Sequence, residues 1–152
     1  EIFRFLYPVS ERKEDNYIFG IHTGAYGAVK LAMKHSDVYA GCFAVNGELN
    51  IAGRCMDSKN REAGFEHQSE ESLKAVFGDL DQVPGGQEDI YHLVENAQIR
   101  TELFCSTKLN CYKDNKRLEE TSKVVTLTGV DKTEDFRQIE EMIEAGVDSI
   151  VR

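Results

Sequence analysis

Short apolar runs along the chain alternate with longer segments that have helical spacing. Four runs rich in apolar, aromatic and β-branched residues predict strands at Tyr17–Ile21, Tyr39–Val45, Thr101–Thr107 and Lys123–Thr128. Helical spacing predicts helices from Gly24 to Met33, at Ser72–Phe77, at Glu88–Asn96, at Lys113–Thr121 and at Phe136–Ala145. Parallel neighbours need a crossover that a helix usually supplies, so this alternation predicts an α/β fold with about four mainly parallel strands flanked by helices.

The segments outside these elements are predicted as turns and loops, with one exception. Ile2–Leu6 ends before Pro8 and is typical of the tail of a helix. Asn50–Ser69 is polar and irregular, which predicts a surface loop. Pro84 and the two glycines after it predict a turn.

Length and charge exclude several classes of protein. The 152 residues, 41% hydrophobic and 30% charged, suit a single domain over 1–152. No apolar run approaches the roughly 18 residues of a membrane span, so we expect no membrane association. The net charge is −9 and the basic residues are scattered, which leaves no positive stripe for nucleic acid.

The cysteines and histidines form no recognisable metal site. None of the four cysteines is in a C-x-x-C motif, and Cys42 and Cys105 lie in apolar runs. We therefore expect reduced thiols, a cytoplasmic setting and no metal or other cofactor. The chain starts at Glu1 without an initiator Met or a signal-peptide pattern, which indicates a cut inside a longer protein.

The segment Gly20–Gly27 carries the clearest chemical signal. Gly20 and Gly24 flank His22 by two residues on each side, between a predicted strand and a predicted helix. This is the G-x-S-x-G frame of a nucleophile elbow, in which small flanking residues permit a sharp turn that projects the central side chain. A plain strand-to-helix turn would also fit the frame, whereas the spacing does not match a phosphate-binding G-x-G-x-x-G.

The residues around this frame extend the match. The stretch 18–32 resembles the elbow of esterase-D-like and tributyrin-esterase-like carboxylesterases of the α/β-hydrolase superfamily, which read G-x-S-M-G-G-Y-G-A before a Leu-Ala helix. The similarity continues in order through the segments 46–49, 76–80, 83–85, 105–109 and 112–115. It runs from about residue 9 to about residue 140. The resemblance implies a partial α/β-hydrolase fold that lacks the family's N-terminal strands.

The resemblance also implies that the catalytic triad is degenerate. The position of the nucleophilic serine holds His22, that of the acid holds Leu109, and that of the basic histidine holds Asp131. The amide of Thr23 would supply one oxyanion-hole donor. The other comes in this fold from a loop after an early strand, which this stretch of sequence does not contain.

Other polar residues are less convincing replacements for a triad. We expect these residues to be solvated side chains or charges at helix ends, with His35 at a helix C-terminus. They are His35, His67, His92, Ser36, Ser58, Ser69, Asp114, Glu134 and Asp135.

The sequence thus predicts an esterase relative without hydrolytic activity, acting as a binding or partner subunit. An active acyl hydrolase with a rearranged site, using His22 covalently, is the alternative. A small acyl or ester ligand fits both hypotheses. The open edge of a partial sheet further predicts a homo-oligomer or a complementing chain.

Overall fold

The computed structural model describes residues 10–60, 70–131 and 136–151. Four strands form one sheet in the order β1 (Tyr17–Ile21), β2 (Gly41–Val45), β3 (Arg100–Ser106) and β4 (Val125–Val130). All three strand pairs are parallel. The predicted parallel α/β sheet is therefore confirmed, and the predicted strands differ from the observed ones by two residues or fewer at each end.

Six helices accompany the sheet in the described residues. They are α1 (Thr23–Lys34), α2 (Ile51–Asn60), α3 (Glu70–Phe77), α4 (Ile90–Leu93), α5 (Cys111–Thr121) and α6 (Phe136–Val151). Single 3-10 turns cover Lys13–Asp15, Leu80–Gln82 and Val94–Asn96. The last helix continues past the predicted end at Ala145, and the predicted helix tail at Ile2–Leu6 lies outside the described residues.

The two faces of the sheet are covered by different helices. Alternate residues of a strand point to opposite faces, and Cys42 and Ala44 of β2 accordingly join the core beneath α1, while Phe43 and Val45 pack with Met142 of α6. All five residues of β2 are buried. This explains why β2 is a continuous apolar run, as expected for a parallel strand covered on both sides.

The predicted loop at Asn50–Ser69 is wrong over its first half, because Ile51–Asn60 is helical. Asn50 accepts a hydrogen bond from the amide of Gly53 at 3.0 Å and so caps the helix start. Ile51, Ala52 and Cys55 are buried on one face, where they pack with Leu73, Leu80 and Val83. This short apolar stripe is easily missed among polar residues. Residues 61–69 lie outside the described part.

The sheet has two open edges in the described part of the chain, at β1 and at β4. On β1 the ring of Phe19 is 56% exposed and stacks on Phe43, with 5.1 Å between ring centroids. On β4, Thr126 and Thr128 alternate with Val125 and Leu127. The expected homo-oligomer or complementing chain at an open edge stays a prediction.

Candidate functional site

The candidate site lies at the carboxyl-terminal edge of the sheet. Because the four strands are parallel, the residues that follow them meet at this one edge. His22 follows β1, Asn46 follows β2, Leu109 lies in the turn after β3, and Asp131 follows β4. In open parallel sheets, ligands bind in the crevice outside this edge.

His22 occupies the tip of a sharp corner between β1 and α1. Its backbone angles are φ 52° and ψ −117°, although a positive φ is uncommon for a residue other than glycine. The His22 amide donates to the Val45 carbonyl at 2.9 Å, and its carbonyl accepts from Ala25 at 3.1 Å in the first helical turn. The chain therefore leaves the sheet and enters the helix within a single residue, as the elbow frame predicts.

The two glycines of the frame have different roles in this corner. A Cβ atom on Gly20 would lie 2.1 Å from the carbonyl oxygen of Gly24 and 2.3 Å from its carbonyl carbon. A Cβ atom on Gly24 would have no other atom within 4 Å. Glycine is thus required at position 20, where two backbone segments touch, and is optional at position 24.

A cleft of about 330 Å³ opens beside this corner. It is lined by His22, Thr23, Asn46, Glu48, Leu109, Asn110 and Cys111. The structure therefore brings the predicted nucleophile position, the predicted acid position and the predicted oxyanion donor together. Thr23 is the first residue of α1, and amides in a first turn have no partner within their own helix.

The third triad position does not join this cleft. The Asp131 side chain is 85% exposed, and its Oδ1 lies 3.7 Å from Lys108 Nζ and 3.5 Å from Thr107 Oγ1. Leu109, by contrast, is held in the turn by its amide, which donates to the Ser106 carbonyl at 3.1 Å. An apolar side chain there offers no charge to an imidazole.

Two residues that the sequence analysis included only in the resemblance, and not as site residues, complete the cleft. Asn46 has a φ of 50° and is 2% exposed. Its side-chain Oδ1 accepts a hydrogen bond from the backbone amide of Ser106 at 2.9 Å, and its own backbone amide donates to the carbonyl of Phe104 at 2.8 Å. Asn46 thereby ties the ends of β2 and β3 together. Glu48 forms an ion pair with Arg54. Their position just after a strand end was the signal that could have found both residues.

Cys111 lines the cleft from the start of α5. Its Sγ lies 3.6 Å from Sγ of Cys105, which is fully buried on β3. This contact, together with burial, raises the pKa of the Cys111 thiol well above its ordinary value. The Cys111 side chain is therefore a neutral thiol at neutral pH and reacts only after it loses its proton.

A second pocket of about 420 Å³ adjoins the cleft, sharing Thr23 and Glu48 with it. Its apolar lining comprises Tyr26, Ile51, Leu73, Val76 and Phe77. At its rim, Glu88 contacts Lys30, and the Tyr26 hydroxyl donates to Glu88 Oε2 at 2.9 Å. Burial opposes ionisation of Glu88, but these two donors hold its pKa below the ordinary value.

The remaining polar candidates whose side chains the structure describes do not come together in a second site. His35 follows the last residue of α1, as expected, and the His92 side chain is 47% exposed, with its Nδ1 3.7 Å from Glu95. Asp114 lies in the first turn of α5, as expected of a helix N-terminal charge; it is partly buried, and its Oδ1 accepts from Asn50 at 3.1 Å. The side chains of His67, Ser58, Ser69, Glu134 and Asp135 lie outside the described ones.

Two wider features of the described chain bear on the excluded functions. No group of three or more His, Cys, Asp or Glu side chains in residues 10–60, 70–131 and 136–151 is arranged to hold a metal ion. None of the helices in these ranges has the length and apolar character that crossing a bilayer requires.

Comparison with known proteins places the fold. An acetyl esterase from Caldicellulosiruptor saccharolyticus is 26% identical over 151 residues, which are 97% of this chain and 54% of that protein. The serine hydrolase FphF of Staphylococcus aureus superposes with a TM-score of 0.76 at 20% identity, covering 99% of this chain and 60% of that one. No protein-family model matches the chain.

This chain has the fold of part of an α/β-hydrolase and is similar in sequence to an acetyl esterase. The S-formylglutathione hydrolase FrmB of Staphylococcus aureus supports the same fold, with a TM-score of 0.74 at 22% identity over 99% of this chain and 61% of that one. The chain therefore spans between half and two thirds of the length of these proteins. Its four strands form part of the fold, as the sequence predicts.

Proposed function

We propose that this α/β-hydrolase relative binds a small acyl or ester ligand at the elbow without hydrolysing it. One observation carries the proposal: the corner keeps the strained backbone of an elbow, but its tip holds His22, and Leu109 stands at the acid position. Ester hydrolysis by the triad mechanism needs a hydroxyl that attacks the ester, a base that takes its proton and a carboxylate that orients the base. None of the three is at the position that the resemblance assigns to it.

The neighbouring pocket supports the retained ability to bind. Its volume of about 420 Å³ lies within the range of roughly 300–1,000 Å³ typical of small-molecule sites. Leu73 and Phe77 would contact an acyl chain, while the first-turn amide of Thr23 would face the polar end of the ligand. An apolar pocket next to a few polar groups fits a short ester better than a charged metabolite.

One observation favours the alternative of an active hydrolase. The cleft places an imidazole, at His22, in the same space as a carboxylate, at Glu48. An imidazole can attack an activated ester directly, and a carboxylate can orient an imidazole. Glu48 is, however, engaged in an ion pair with Arg54, and that pairing weakens its ability to serve His22.

Turnover of p-nitrophenyl acetate distinguishes the two functions. We expect the unaltered chain and the His22→Ala variant to release nitrophenol at the same rate. His92→Ala is the matched control, because this imidazole is 47% exposed, does not line the cleft and reports the background reactivity of surface histidines. Multiple turnovers that disappear in both His22→Ala and Glu48→Gln would establish the rearranged hydrolase and refute the binding role.

Binding of ethyl butyrate, followed by ligand-observed NMR, tests the pocket itself. Val76 lines the pocket and is 73% exposed, so Val76→Asp should introduce a charge without disturbing the core. We expect this variant to lose binding at least tenfold. Val147→Asp on α6, where the valine is 44% exposed, is the control and should bind as the unaltered chain does. Equal binding by both variants would remove the pocket from the proposal.

A further inference from the structure

The contact between Cys105 and Cys111 joins the core of the sheet to the wall of the cleft. Cys105 on β3 is fully buried, whereas Cys111 at the start of α5 retains 8% exposure and lines the cleft. Their sulfur atoms lie 3.6 Å apart. Cys42 and Cys55 are also buried and form no disulfide, but they lie in two separate hydrophobic clusters. The four cysteines therefore contain one contacting pair with one accessible member.

We propose that Cys105 and Cys111 form a reversible disulfide that reshapes the cleft at the elbow. In the reduced chain the two sulfur atoms are in van der Waals contact. A disulfide requires a separation of about 2.0 Å, and its Cβ atoms lie roughly 3.5–4.5 Å apart. Of the five residues between the two cysteines, Ser106 ends β3, and the four residues 107–110 form a turn that is free of regular secondary structure. A closing movement can therefore be absorbed by this turn and by the first turn of α5.

The oxidant in this proposal is a low-molecular-weight disulfide, oxidised glutathione. The Cys111 thiol loses its proton, and its sulfur attacks one sulfur of the oxidant, releasing one glutathione thiolate and leaving a mixed disulfide. Cys105 then loses its proton and attacks Cys111 Sγ, releasing the second glutathione. Two protein thiols are oxidised, the oxidant is reduced to two thiols, and both protons end on glutathione.

The order of these steps follows from accessibility. Only Cys111 of the pair borders an open space, so the first attack occurs there. Cys105 has no exposed surface and reacts only with the sulfur that already touches it. Access also depends on the cleft, which means that an occupant beside Leu109 and Asn110 would shield Cys111 from the oxidant.

Closure of the disulfide acts on the cleft through the chain between the two cysteines. Leu109, Asn110 and Cys111 are consecutive and all three line the cleft. Ser106, at the other end of the turn, is held by Asn46 through a 2.9 Å hydrogen bond. Drawing Cys111 toward β3 by about 1.5 Å while Ser106 stays anchored must shift the intervening wall. His22 lines the same cleft as this wall, so oxidation changes the surroundings of the His22 side chain.

The test needs only the unaltered chain, reduced and then incubated with oxidised glutathione. Titration of thiols in denaturant should fall from four to two, and peptide mapping should join the segments that contain Cys105 and Cys111. Dithiothreitol should restore all four thiols. Retention of four thiols, or a disulfide that involves Cys42 or Cys55, would overturn the proposal. This readout does not depend on whether the chain hydrolyses or binds an ester.

Two variants test the order of attack. Cys105→Ala should stop at the mixed disulfide and carry one glutathione on Cys111, whereas Cys111→Ala should carry none. Cys42→Ala is the control and should form the disulfide as the unaltered chain does. Glutathione on Cys105 in the Cys111→Ala variant would refute the assigned order.

A second measurement tests the effect on the cleft. The imidazole NMR signals of His22 should shift on oxidation and return with dithiothreitol, whereas those of exposed His92 should stay unchanged. Formation of the disulfide without any shift at His22 would show that the pair does not act on the elbow.

Discussion

The close approach of backbone at Gly20 predicts a large and specific loss of stability on substitution. In Gly20→Ala the new methyl group would lie 2.1 Å from the Gly24 carbonyl oxygen. Uncharged heavy atoms pack best at about 3.5–4.0 Å, so the two backbone segments would have to separate by about 1 Å or more. Neither of them can rotate away, because the neighbouring residue His22 already holds the corner at a positive φ.

The magnitude follows from the cost of overpacking. Forced insertion of a methyl group typically costs about 1–3 kcal/mol, and a clash with backbone belongs at the upper end of this range. Replacing glycine also lowers the conformational entropy of the unfolded chain, which stabilises the folded state by about 0.4–1 kcal/mol. We therefore expect Gly20→Ala to lower the free energy of unfolding by about 2 kcal/mol. This loss would reduce the ratio of folded to unfolded molecules roughly 30-fold.

Gly24→Ala is the matched control, since it changes the other glycine of the same frame. Its methyl group would have no other atom within 4 Å, and the position is helical. We expect it to be unchanged or more stable by up to about 1 kcal/mol. Urea unfolding followed by circular dichroism measures both variants. Equal stability of Gly20→Ala and Gly24→Ala would refute the tight corner, and with it the position of His22 at its tip.

Three further predictions concern the corner, the strand ends and a partly buried carboxylate. His22→Gly should be about 1 kcal/mol more stable than His22→Ala in urea, because glycine relieves the positive φ; equal midpoints would argue against backbone strain. Asn46→Gly should cost about 1–3 kcal/mol by removing the hydrogen bond that the buried Ser106 amide donates to the side chain, and Asn46→Ala should cost about 1 kcal/mol more because alanine tolerates the positive φ poorly. An order reversed between these two would contradict the geometry. Hydrogen bonds from Lys116 and from the Leu127 amide lower the pKa of Glu119 in the folded chain. These bonds therefore stabilise the fold fully above the ordinary pKa of a glutamate, and this stability is lost as the pH falls through the lowered pKa of Glu119. Glu119→Gln should therefore weaken the chain at pH 7 but hardly below that lowered pKa, with exposed Glu120→Gln as the unaffected control.

The site was predictable from sequence as far as local patterns reach. Tyr17–Ile21 was bounded correctly because apolar residues end at a glycine-rich turn, and the frame around His22 identified the elbow. The helix Ile51–Asn60 was not predicted, because its apolar stripe is short and its stability comes from packing against Leu73, Leu80 and Val83. Periodicity alone carries no information about such distant partners.

The sequence by itself determined the alternation of strands and helices, the parallel sheet and the identity of the residue at the corner. These features depend on side-chain pattern and on the need of parallel strands for a crossover. Only the tertiary structure decided which residues meet at the carboxyl edge. It placed Leu109, Glu48 and Cys111 beside His22, turned Asp131 to solvent, and brought Cys105 against Cys111. Strand order, register and the direction of each side chain set those distances, and none of the three is encoded in a local pattern.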